Sequence, residues 1–166
     1  MIGRTARAVA LGVMLVAAGA TASHAAGTLI GPRVGFSVAP DQFVFGGQLH
    51  TGELAPHLTF DPALELGFGD NETLVAINLD LHYHFQIRGS DWTPYLGLGA
   101  SVNFESFDHP APAEDASQTN VGGNFVLGAA APASTGGRFF AEMKLGLGDA
   151  PSLKMLAGWN FALSKK

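Results

Sequence analysis

The sequence contains no cysteine, so no disulfide framework supports its fold. It is also poor in charge. Only 14% of its residues are Asp, Glu, Lys or Arg, against about 25% in a soluble domain whose whole outer surface meets water. No basic cluster occurs beyond Lys165-Lys166, which argues against nucleic acid as a partner. Beyond the N-terminal region no stretch approaches the roughly 18 apolar residues of a membrane-spanning helix. Any membrane assignment must therefore rest on strands.

The N-terminal region has the composition and order of a secretory signal. Arg4 and Arg7 precede an apolar run, Ala8 to Ala20, with no acidic residue among them. Small residues follow, and either Ala20-Thr21-Ala22 or Ser23-His24-Ala25 suits a signal peptidase. The run is shorter than the ~20 residues of a spanning anchor. We therefore expect residues 1–25 to be a signal peptide and 26–166 to be a single domain. After the signal, seven basic residues stand against fourteen acidic ones, a formal charge of −7.

Alternation is what the domain has in abundance. From Val75 to Ile87 the odd positions are apolar or aromatic: Val75, Ile77, Leu79, Leu81, Tyr83, Phe85 and Ile87. The even positions from Ala76 to Arg88 carry Asn78, Asp80, His82, His84 and Gln86. A period of two belongs to a strand with one apolar and one polar face, here Thr73 to Arg88. Seven further segments alternate in the same way: Arg33–Ala39, Gln42–His50, His57–Phe68, Trp92–Glu105, Asn120–Ala130, Arg138–Leu147 and Ser152–Leu163. Pro62 cannot donate to a ladder, so a bulge or bend is expected there. Six connections are short, and Ser106–Thr119 reads as one long exposed loop. Short connections make sequential antiparallel neighbours, and such a meander removes its free edges by closing into a barrel.

Which face is enclosed decides the class of protein. The polar faces mix charge with small residues, as in Gly97, Gly99, Ser101 and Asn103. An eight-stranded barrel has room inside only for its side chains, so small residues must offset large ones. Arg33, Arg88, Arg138, Lys144 and Lys154 can pair inside with Asp61, Glu65, Asp80, Glu105 and Glu142. The apolar faces carry almost no charge, with Trp92, Phe104, Phe139, Trp159 and Phe161 near strand ends. The alternative is a secreted, soluble, lipocalin-like barrel that turns its apolar faces inward around a small apolar ligand. That arrangement would expose glycine-rich strands and demand an unusually large core from about 140 residues.

The signal peptide, eight alternating segments and aromatic final segment together resemble the small outer-membrane β-barrel proteins of the OmpA/OmpX/OmpW-like kind. The resemblance spans about residues 28 to 163 as a pattern. The closing Gly158-Trp159-Asn160-Phe161-Ala162-Leu163 is similar to the signal read by the barrel assembly machinery. It departs from that signal in Leu156, where a polar residue is usual, and in the trailing Ser164-Lys165-Lys166. The resemblance implies an eight-stranded antiparallel up-and-down transmembrane barrel in the outer membrane. Its partners would be outer-membrane lipid and, during biogenesis, the assembly machinery; the external partner is left open.

Chemistry is thinly signalled. His82 and His84 share one strand face, and His57 or His50 could approach them, which is a donor set a transition metal accepts. Filling and hydrogen-bonding the polar interior is the expected role of these imidazoles. Asp80 beside His82 invites acid–base chemistry, but no nucleophilic serine shares their strand, and Ser101 on the next is ordinary filling. Gly97-Leu98-Gly99 lies on a strand with no helix behind it to hold a phosphate. No catalytic, cofactor-binding or metal residue is assigned, and a structural or surface-binding role without catalysis is expected.

Overall fold

The computed structural model describes residues 27–107, 116–133 and 136–162. They form eight strands: β1 (Leu29–Val38), β2 (Gln42–His50), β3 (Leu58–Gly69), β4 (Glu72–His84), β5 (Thr93–Phe107), β6 (Ala116–Pro132), β7 (Arg138–Gly148) and β8 (Leu153–Ala162). Each pairs antiparallel with its sequence neighbours, and β1 pairs with β8 to close the barrel. The expected signal, the residues following Ala162 and the middle of the expected long loop lie outside the described residues.

The strand boundaries differ from expectation in several places. β1 begins at Leu29, four residues early. It keeps its register with β2 through Pro32↔Gly47, while its pairing with β8 is interrupted between Ile30↔Phe161 and Arg33↔Gly158. The glycine- and alanine-rich β6 is 17 residues long, the longest of the eight. β5 runs on to Phe107 and β6 starts at Ala116, so both ends of the expected loop Ser106–Thr119 are strand.

Pro62 makes no bulge against β4. The β3–β4 register is unbroken from Leu58↔Tyr83 to Gly69↔Glu72. Instead the β2 ladder stops at Gln48↔Ala63, one position short of the proline. β4 ends at His84 rather than Arg88 because its partners run out, β3 starting at Leu58 and β5 at Thr93. The His84 amide bonds the His57 carbonyl and the Phe85 amide bonds that of Pro94, each at 2.8 Å. Gln86 and Arg88 then lie exposed outside the barrel.

The two faces separate by charge. Ten charged residues lie in the strands: Arg33, Asp61, Glu65, Glu72, Asp80, Glu105, Arg138, Glu142, Lys144 and Lys154. All ten occupy positions that turn inward. The outward positions carry the exposed large apolar side chains, from Val34 and Phe36 on β1 to Met155 and Phe161 on β8.

Aromatic contacts gather at both ends of this outer surface. At the end where Leu29 and Ala162 lie, here called proximal, Trp92, Phe139, Trp159 and Phe161 follow one another at centroid spacings of 6.5, 6.3 and 6.2 Å. At the distal end Phe36 meets Phe43 at 5.4 Å and Phe45 stacks on Phe68 at 5.5 Å. The expected member Phe104 sits apart on β5, opposite Val75 and Thr119, where β6 has run past the distal end of β7 while β4 stays paired with β5 as far as Glu72↔Phe107.

Candidate functional site

The barrel encloses a network of ions that spans it from wall to wall. Arg33 on β1 reaches Glu142 on β7 and lies 3.3 Å from Glu65 on β3. Lys154 on β8 donates to Glu65 at 2.7 Å, and Lys144 on β7 donates to Asp80 on β4. The Tyr95 hydroxyl donates to Glu142 at 2.9 Å, and Arg33 also donates to Gln48 at 2.9 Å. Every member of this network is buried. Charges withdrawn from water persist only when paired and hydrogen-bonded, and these are.

Small residues make the network fit. A β-carbon at Gly128 would lie 2.5 Å from the Tyr95 hydroxyl oxygen, and one at Gly97 would lie 2.5 Å from the His82 ring. Glycine at these two positions admits a tyrosine and a histidine to the interior. Its cost in strand stability is thereby offset.

At the proximal end the network gives way to imidazoles. Asp61 on β3 exposes 2% of its surface, and no lysine or arginine lies within 4.0 Å of it among the described residues. Thr59 donates to its Oδ2 at 2.6 Å, and His82 Nδ1 stands 3.3 Å from the same oxygen. Its Oδ1 faces His50 Nδ1 at 2.5 Å. His84 approaches Thr59 through Nε2 at 3.1 Å, and Tyr95 stacks on the His82 ring at 4.7 Å. A pocket of about 20 Å³ lies among His50, Asp61, His82, His84 and Arg138. A wider recess of about 490 Å³, lined by His50, Glu53, His57, His84 and Arg138, leads outward from the barrel.

The structure brings together part of what the sequence suggested. His82 and His84 are buried, with centroids 6.4 Å apart, and His50 approaches them from β2. His57 stays at the rim against Tyr83. Of the expected interior cations Arg33, Lys144 and Lys154 are paired, whereas Arg88 is outside the barrel. Arg138 reaches no carboxylate within 4.0 Å among the described residues, and Glu105 accepts from Asn120 rather than from a cation. Asp61 was expected to meet a cation and meets histidines instead. Ser101 is buried beside Asn103, 3.4 Å away.

No protein-family model matches the chain, and no curated protein matches it by sequence. Solved structures do. The N-terminal β-barrel domain of Pseudomonas aeruginosa OprF superposes with a TM-score of 0.66 at 17% identity, covering 81% of this chain and 96% of that one. Neisserial surface protein A superposes with a TM-score of 0.61 at 16% identity, covering 80% and 94%. The fold is the one these barrels share. It is the closed eight-stranded antiparallel barrel expected from the alternation, here with a histidine-lined mouth at one end.

Proposed function

We propose that the protein is a small integral outer-membrane β-barrel with a packed polar interior, acting in the envelope as a structural or surface-binding element without catalysis. The observation that carries this reading is the position of charge: all ten charged strand residues turn inward, away from an apolar outer surface edged by aromatics. A soluble barrel needs the reverse arrangement, because its outer surface must be hydrated. A small apolar ligand would meet Asn78, Asp80 and Lys144 inside, all at 0% exposure. Likeness of fold to a protein named for the surface of Neisseria adds support.

The packed interior argues against a pore. Reconstituted in planar bilayers, the protein should give little or no conductance. Stable channels of porin size would replace this reading with that of a conduit. In cells it should fractionate with the outer membrane, and recovery in the soluble periplasmic fraction would end the membrane reading.

An orientation belongs to this proposal. With the proximal end in the periplasm, the β5–β6 hairpin projects outward and offers the surface a partner would meet. A protease site inserted between Phe107 and Ala116 should be cut on intact cells. Cleavage only after permeabilisation of the outer membrane would reverse the orientation.

A further inference from the structure

We propose that His50, Asp61 and His84 form a binding site for a divalent first-row transition metal of the zinc class at the proximal mouth of the barrel. One ligand atom from each residue lies within 4.8 Å of the other two, and the three residues come from the adjacent strands β2, β3 and β4. The inference rests on this cluster alone and goes beyond the envelope role, so either can fail without the other.

Charge is the first argument. Glu65, Asp80 and Glu142 are matched inside the barrel by Lys154, Lys144 and Arg33. Asp61 is the fourth buried carboxylate among the described residues, and among them it faces imidazoles and a hydroxyl within 4.0 Å and no lysine or arginine. A buried carboxylate needs a positive partner. A metal dication held by the carboxylate and two neutral imidazoles supplies it.

The second argument is aim. Thr59 and His82 hold one oxygen of Asp61 and leave the other turned toward His50. Such outer partners orient a metal-binding carboxylate. His84 exposes 9% of its surface, and its Nδ1 has no hydrogen-bond partner among the described residues. His84 thus has a ring nitrogen available to a ligand, its other nitrogen standing 3.1 Å from the Thr59 hydroxyl.

Room and chemistry agree. The pocket of about 20 Å³ beside the cluster holds a guest of water size, and the recess beyond it gives an entry path and a place for a solvent ligand. Two imidazoles and one carboxylate with an open fourth position suit zinc and its neighbours in the series. In a tetrahedral site the ligand atoms stand on the order of 3.3 Å apart. His50 must therefore swing away from its 2.5 Å contact with Asp61 as the metal enters. It can do so, since it lies at the rim with 12% of its side chain exposed. Arg138 lines the same pocket and opposes a cation there.

The test uses untagged full-length protein, refolded in detergent and stripped with chelator, then titrated with Co²⁺ by visible absorption and with Zn²⁺ by calorimetry. One equivalent should bind. His50→Ala and His84→Ala should each weaken binding by more than the roughly 10–100-fold that loss of an outer-shell partner costs. Arg138→Gln should tighten it, and His57→Ala, at the rim but outside the cluster, should leave it unchanged. Circular dichroism checks the barrel in each variant, and His50→Gln and His84→Gln replace any alanine variant that fails to refold. Absence of saturable binding, or equal binding in wild type and both ligand variants, would overturn the site. So would an equal loss in His57→Ala.

Discussion

Leu79→Arg is expected to destabilise the barrel by roughly 2–4 kcal/mol, the cost of placing arginine against mid-depth lipid. Leu79 is 47% exposed near the middle of β4, paired with Pro62 on one side and Ala100 on the other. Leu79→Ala should be milder, because no packed cavity opens behind an outward side chain. Its neighbour Asp80 is fully buried and holds Lys144. Asp80→Leu leaves that ammonium with Glu142, 3.8 Å away, as its one carboxylate within 4.0 Å among the described residues, and breaking such a pair costs on the order of 3–5 kcal/mol. A soluble barrel packed the other way would invert the pattern, with Leu79→Ala costing about 2–5 kcal/mol and Asp80→Leu nearly silent. Reversible urea unfolding in lipid vesicles measures all three. A harmless Asp80→Leu, with wild type monomeric in plain buffer, would defeat the membrane reading.

Arg33→Met should cost a comparable amount, at the lower end of roughly 3–5 kcal/mol. The substitution keeps much of the side-chain volume but removes the guanidinium that joins Glu142, Glu65 and Gln48. Glu65 keeps Lys154, and Glu142 keeps Tyr95 and a more distant Lys144, which holds the loss down. Adding Glu142→Gln to Arg33→Met should recover stability, since the carboxylate left short of charge is then neutral. Strictly additive losses in the double variant, by the same unfolding assay, would show that the two residues do not act as a pair.

The enclosed face was legible in the sequence because charge obeyed parity. Asp80 and Lys144 each sit between apolar neighbours, and no register or length is needed to see that. Strand ends were harder. Phe85 and Ile87 continue the alternation of β4 after its neighbours have run out. A strand ends where its partners do, and one segment read alone does not reveal that. The imidazole cluster was half visible. His82 and His84 share a strand, so the sequence joins them, but Asp61 reaches them through the β3–β4 register, which places Thr59 opposite His82 and Asp61 opposite Asp80. That register is fixed by the tight turn at Asp70-Asn71, where Asn71 takes a φ of 59°. The sequence marks the turn, but pairing across it decides which acid meets which base. The partnering of Asp61 with histidine rather than arginine follows from that pairing.

The ion pairs also bear on the order in which the chain assembles. Seven of the eight strand pairings join sequence neighbours, and only β1 with β8 joins the two ends of the domain. Lys144 on β7 and Lys154 on β8 face their carboxylates on β4 and β3 across the lumen, and Arg33 on β1 reaches Glu142 on β7 across the β1–β8 seam. The pairs Lys144–Asp80 and Lys154–Glu65 join residues 64 and 89 positions apart. Such contacts reward nothing until the chain between them is already ordered. A curled but open sheet, with its hairpins complete, would leave Lys144 and Lys154 short of Asp80 and Glu65, and Arg33 short of Glu142 though already near Glu65 on β3. These cross-lumen bonds therefore act on the last step, penalising the unsealed sheet and favouring closure of the β1–β8 seam as a single event.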